Sequence, residues 1–156
     1  MANKVKIRLA TPEDDLVIAE HMYKLWRDNQ ITTDLIRPNW QSITQVFIDR
    51  VRQDLAYQAF VAEIDNIIVG SVGCQIFGGL YPNILVDECR RYGYIWGVYV
   101  ESPYRHQGIG KKLTLQARDY LKSIGCNKAI LHASPLGKPV YSSLGFVSSN
   151  EMCLDL

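Results

Sequence analysis

The chain has almost no surplus of charge. Its 156 residues carry 17 lysines and arginines against 16 aspartates and glutamates, a formal net charge of +1. A general nucleic-acid binder is strongly basic, so no nucleic-acid partner is expected. Cysteine is sparse and unpatterned. Cys74, Cys89, Cys126 and Cys153 form no C-x-x-C, and His21, His106 and His132 are equally dispersed. A zinc site is therefore not expected, and the cysteines read as small hydrophobes in a reducing compartment. No apolar run approaches the length of a membrane span. The opening MANKVKIRLA lacks the apolar segment of a signal peptide. A cytoplasmic protein without a membrane partner is the expectation. Internal repeats and low-complexity tracts are also absent.

What is present is an ordinary globular composition, 47% hydrophobic and 21% charged. The length fits one domain over 1–156, large enough to bury a core without staples. Lys4 to Leu9 alternates apolar and basic residues as a half-buried strand does. Thr11-Pro12-Glu13-Asp14 reads as a helix start, with Leu16, Ala19, Tyr23 and Trp26 continuing the stripe to about Asp28. A second helix follows Pro38, with Trp40, Ile43, Phe47 and Val51 on one face. The polar link 29–37 is expected to line a substrate mouth. Ala59 to Ile64 and Ile67 to Phe77 form a hairpin about Asp65-Asn66, and Gly70 and Gly73 mark a bend or bulge. An irregular loop over 78–91 leads to a strand over Tyr92 to Val100. A helix runs from Gly108 to Ile124, with Ile109, Leu113, Ala117, Tyr120 and Ile124 inward. A strand from Lys128 to Ala133, a short helix from Lys138 to Leu144 and a last strand from Phe146 to Leu156 complete the chain. The crossover from the Tyr92 strand through the Gly108 helix to the Lys128 strand predicts a right-handed parallel unit.

The most specific segment is Val98 to Leu113, VYVESPYRHQGIGKKL. A strand runs into two glycines and a helix opens at once. Glycine lets backbone approach a ligand, and the first helical amides lie unpaired at the positive end of the dipole. Together these make an anion site suited to a pyrophosphate. The spacing is neither G-x-G-x-x-G nor a Walker A loop.

The pattern R-x-x-G-x-G after V-Y-V resembles the acetyl-CoA loop of the GNAT superfamily of N-acetyltransferases. A second stretch, LHASPLGKPVYSSLGF, resembles that family's motif ending Y-x-x-L-G-F. The order of elements matches the same fold over nearly the whole chain. The resemblance implies an α/β fold, with a mixed, mostly antiparallel sheet splayed between its fourth and fifth strands and flanked by helices. It implies acetyl-CoA as co-substrate, bound by Val98, Tyr99, Val100, Arg105, His106, Gln107, Gly108, Ile109, Gly110 and Lys111, with Lys112 adding charge. Ser134 stands where many members have a cofactor-touching asparagine, or else caps the following turn. Tyr141 is implied as the catalytic acid that protonates the departing thiolate. A small-molecule or peptide amine is implied as acceptor, attacked directly rather than through a cysteine, and a homodimer is the family's usual state.

The strand positions where relatives carry a carboxylate base hold Trp96 and Gly97. Glu101 reads as a surface residue and His132 as a satisfied buried histidine; a water chain is an equal route for the amine proton. Tyr81, Tyr92, Tyr94, Trp96 and Trp26 form either an aromatic acceptor wall or ordinary core. The missing carboxylate leaves a non-catalytic acyl-CoA-binding module as the alternative.

Overall fold

The computed structural model describes residues 3–156, and its elements follow the local chemistry closely. The first strand, β1, spans Lys6–Leu9. Thr11 and Asp14 then form a reciprocal cap about the turn Pro12–Asp14, leading into α1, Asp15–Asp28. The Thr11 N–H donates to Asp14 Oδ2 at 2.8 Å, and Arg8 donates to the same carboxylate at 2.8 Å. Arg8 holds the Asp14 carboxyl below its ordinary value. A short turn at Thr33–Leu35 precedes α2, Trp40–Asp54. Next come β2, Gln58–Ile64, and β3, Ile67–Ile76, joined by Asp65 and Asn66 at positive φ of 51° and 64°. These values are those of a tight hairpin that follows the right-handed strand twist. The fourth strand, β4, is Tyr92–Val100; α3 is Ile109–Ser123; β5 is Lys128–Ile130; α4 is Lys138–Ser143.

The sheet order is β1-β2-β3-β4-β5, antiparallel except for the parallel pair β4–β5. On one face α3 packs on the sheet. Ile109, Leu113, Ala117 and Leu121 meet Val69, Val72 and Ile95. On the other, Ile18 of α1 and Ile48 and Val51 of α2 pack with Tyr57 and Ala59. This is the mixed, helix-flanked α/β architecture the sequence predicts.

The bend expected near Gly70 and Gly73 takes a particular form. Ser71 pairs with Tyr99 but Gly73 pairs with Trp96, so β4 carries the extra residue. Gly97 takes φ +66° there, a conformation that costs glycine little. The bulge re-aims the strand. Trp96 joins the α1/α2 core, whereas Val98 and Val100 turn to the α3 core. A Cβ on Gly70 would lie 2.8 Å from the Tyr99 carbonyl oxygen, so Gly70 permits close approach of β3 to β4.

Several expectations need correction. No strand forms over 146–156. Strand β5 pairs only from Lys128 to Ile130, leaving an edge too short to template another strand, and Val147, Met152 and Leu154 stay exposed. Strand β5 likewise stops short of Ala133, so His132 lies beyond the sheet with its side chain 62% exposed instead of buried. The buried stripe of α1 is Asp15, Ile18, Ala19 and His21, rotated from the predicted face, and Leu16 and Trp26 point outward. In α3 the inward residues include Thr114 and Leu121, while Tyr120 and Ile124 are only partly buried.

Candidate active site

The β4–β5 ladder ends at Tyr94 opposite Ile130. Beyond that point the β5-facing side of β4, from Ile95 to Val100, has no strand partner. The predicted site residues fall into three groups.

The first is the glycine loop. Arg105 to Gly108 leads into α3, whose N-cap Gly108 has φ +77°. His106 also has positive φ, 62°, so the backbone turns sharply twice. Ile109 is fully buried and anchors the helix start under the loop. The first intrahelical bond runs from the Lys112 N–H to the Gly108 carbonyl at 3.1 Å. The amides of Ile109, Gly110 and Lys111 therefore have no helical acceptor. A Cβ on Gly108 would meet nothing within 4 Å. The space beside Gly108 is thus open, and Gln107, Lys111 and Lys112 are exposed around it. These residues fit a pyrophosphate ester.

The second group braces that loop. The Arg105 guanidinium donates to the Val100 carbonyl at 2.7 Å and to Asp28 at 2.6 Å, and it lies 5.2 Å from the Tyr99 ring centroid. Part of the Val100 backbone is therefore already engaged. Arg105 holds loop, strand and the end of α1 together, a use of the guanidinium fork that lysine cannot copy.

The third group is Ser134 and Tyr141. Ser134 Oγ accepts the Gly137 N–H at 3.2 Å, and the Ser134 carbonyl accepts from Lys138 at 3.0 Å. Serine therefore caps the turn into α4. Tyr141 sits in α4 with its ring edge-on to Phe146 at 5.9 Å. Burial pushes its phenol above the ordinary value, so it keeps its proton at neutral pH.

The structure also assembles residues that pattern reading set aside. Glu101 accepts from Lys24 at 2.6 Å, and His21 Nε2 lies 3.3 Å from the same oxygen. His21 Nδ1 is 2.7 Å from Ser71 Oγ. Because the carboxylate only accepts, Nε2 carries the proton and Ser71 donates to Nδ1. Burial, opposed by Glu101, pushes the His21 imidazole down to about 4. The spacing of His21, Lys24 and Asp28 along α1 puts them on one face, and all three meet residues beyond the end of β4. The one sequence signal was that helical spacing; the partners lie 50 to 80 residues away.

The proposed aromatic wall divides. Trp96 is core, donating to Gln75 at 2.9 Å and packed on Phe47 and Tyr57. Tyr92 stacks under the Arg90 guanidinium at 4.0 Å, and Tyr81 is 5.6 Å from the same group. Trp26 is remote from them in role, an exposed residue of α1. Tyr94 alone stands at the point where β4 and β5 part, and its hydroxyl meets His132 Nδ1 at 2.7 Å.

Comparison with known proteins gives the family and the fold. The model of the acetyltransferase (GNAT) family matches residues 19–146. A glucosamine 6-phosphate N-acetyltransferase from Trypanosoma brucei brucei is 40% identical over 108 residues, 69% of this chain and 70% of its own. Among solved structures, a GCN5-related N-acetyltransferase from Ralstonia eutropha superposes with a TM-score of 0.83 at 22% identity, covering 98% of this chain and 99% of its own. A predicted acetyltransferase from Clostridium acetobutylicum, solved with acetyl-CoA, gives 0.81 at 24% identity, covering 98% and 96%. At these identities the two structures speak for the fold.

Proposed function

The chain belongs to the GNAT acetyltransferase family and is an acyltransferase, and on that premise we propose that it moves an acetyl group from acetyl-CoA to a primary amine by direct attack in a ternary complex. The observation that carries this reading is that β4 loses its β5 partner beyond Tyr94, while the first amides of the helix that follows the glycine loop have no helical acceptor. Acetyl-CoA supplies an activated thioester that an uncharged amine attacks. The backbone of Val98, Tyr99 and Val100 lies along the pantetheine arm as an added strand would. Amides from His106 to Lys111 hold the pyrophosphate, and Arg105 keeps the loop in place. The Val98 N–H faces the charge that develops on the carbonyl oxygen. Tyr141 gives its proton to the departing thiolate.

The acceptor is a small-molecule or peptide amine. Because the Trypanosoma relative is named for glucosamine 6-phosphate, that amine is the first to assay. No thiol attack is needed: Cys74 is buried with its thiol pushed up to about 12, and Cys126 is raised by burial as well. Four free cysteines suit the reducing cytoplasm. We take 1–156 as one catalytic unit and a homodimer as its working state.

The test is Tyr141→Phe. Loss of a general acid lowers kcat by about 10²–10⁴-fold, with acetyl-CoA affinity unchanged by calorimetry. A Tyr141→Phe variant with wild-type kcat refutes Tyr141 as the general acid.

A further inference from the structure

We propose that Tyr94, His132 and Glu151 form a proton relay, at the end of the β4–β5 ladder, that takes the proton of the acceptor amine. The proposal rests on the acyl transfer above and assigns the base that the strand lacks. The Tyr94 hydroxyl is 2.7 Å from His132 Nδ1, and His132 Nε2 is 2.6 Å from Glu151 Oε2. Tyr94 is the last β4 residue paired with β5, and His132 lies just past the end of β5. The Tyr94–His132 bond therefore bridges the two strands where their pairing stops, and the His132–Glu151 bond ties it to the C-terminal segment.

The direction of the relay follows from its acceptor end. An ionised carboxylate accepts only, so His132 holds its proton on Nε2 and Nδ1 is bare. Tyr94 must then donate to Nδ1. When the amine nitrogen forms its bond to the acyl carbon, its surplus proton passes to the Tyr94 oxygen. The original Tyr94 proton moves to Nδ1, and the resulting imidazolium faces the Glu151 carboxylate. The carbon–sulfur bond breaks and the thiolate takes its proton from Tyr141, so charge and protons balance.

The surroundings suit a shuttle. Burial and the Glu151 charge raise the Tyr94 phenol, so it passes a proton without resting as phenolate. His132 holds Glu151 below the ordinary carboxylate range. The Phe77 ring centroid lies 6.0 Å from that of Tyr94. Cys153 donates to the remaining Glu151 oxygen at 3.8 Å, and Lys128 of β5 lies over the Tyr92 ring at 4.8 Å. His132 and Glu151 are 62% and 60% exposed. Exposed ion pairs add little stability, so folding alone does not require three such groups in line.

The test combines two measurements. Imidazole nitrogen NMR of the free protein should show His132 protonated at Nε2, with Glu151→Gln mixing the tautomers; an Nδ1-protonated ring overturns the relay. The pH dependence of kcat with glucosamine 6-phosphate is then measured for wild type, Tyr94→Phe and His132→Gln. Each variant should lose about 10²-fold in kcat and show a rate that keeps climbing with pH, because solvent must take the proton, while calorimetry gives an unchanged acetyl-CoA Kd. Variants with wild-type kcat and pH profile overturn the relay and leave acyl transfer standing. A wild type inert towards glucosamine 6-phosphate and a panel of other amines overturns both.

Discussion

Gly108→Ala probes the phosphate cradle at a single methyl group. The new Cβ has two effects, and the structure separates them. At φ +77° an alanine is strained, costing roughly 1–2 kcal/mol, partly offset by the stiffer unfolded chain. For a domain of this size each kcal/mol is worth about 2–4 °C, so the free protein should melt a few degrees lower. The methyl meets no protein atom within 4 Å, so folding is not otherwise disturbed. It projects into the space assigned to the pyrophosphate. Acetyl-CoA at about 100 times its Kd stabilises wild type by about 2.7 kcal/mol, roughly 5–11 °C. If the methyl weakens binding about 100-fold, the same concentration gives only about 0.4 kcal/mol, a shift of roughly 1–2 °C. Thermal unfolding with and without acetyl-CoA reads both effects. Gly110→Ala is a control for folding alone. Its Cβ would sit 3.8 Å and 3.9 Å from Val100 and Val98, ordinary contacts, inside a helix where alanine gains up to about 1 kcal/mol. Gly108→Ala with a ligand-induced shift equal to wild type refutes the assignment of the loop.

Two further outcomes test the frame around the site. His21 has a folded value of about 4 against an ordinary 6.5, so the native state binds fewer protons between them. Stability is full above about pH 6.5 and falls towards pH 4, by at most about 3 kcal/mol. Urea titrations of wild type and His21→Gln should show that slope in the first and not the second; parallel curves would refute neutral burial of His21. Gly93→Ala places a Cβ 2.6 Å from Leu121 Cδ1, against a side chain that is fully buried. Overpacking should cost about 1–3 kcal/mol in denaturant while acetyl-CoA affinity stays unchanged, and a neutral substitution would contradict the seating of α3 on β4.

Elements whose signals are local were legible. The Thr11–Asp14 cap, the Asp65-Asn66 turn and the α3 stripe of Ile109, Leu113 and Ala117 depend on residues within a few positions of one another, and each forms as expected. The strand over 146–156 did not form, because a strand also needs an edge and β5 offers three paired residues. The face of α1 was misread for a related reason. Leu16 and Trp26 satisfy helical periodicity, yet Asp15 and His21 take the buried stripe because Arg52 and Ser71 wait there to bond them. Periodicity ranks residues by hydrophobicity and cannot anticipate a partner supplied by another element.

The same division runs through the site. Sequence by itself determined the family, the glycine loop and the helix that opens after it, and the place of Tyr141, since each is a short run whose backbone geometry follows from its own residues. Tertiary structure decided which way β4 faces after its bulge, that Arg105 and Glu101 are tied to α1, and that Tyr94, His132 and Glu151 stand in line. Those contacts join residues 19 to 77 positions apart. Hydrogen bonds act over about 3 Å, and only the packed sheet and helices bring such distant groups within that range.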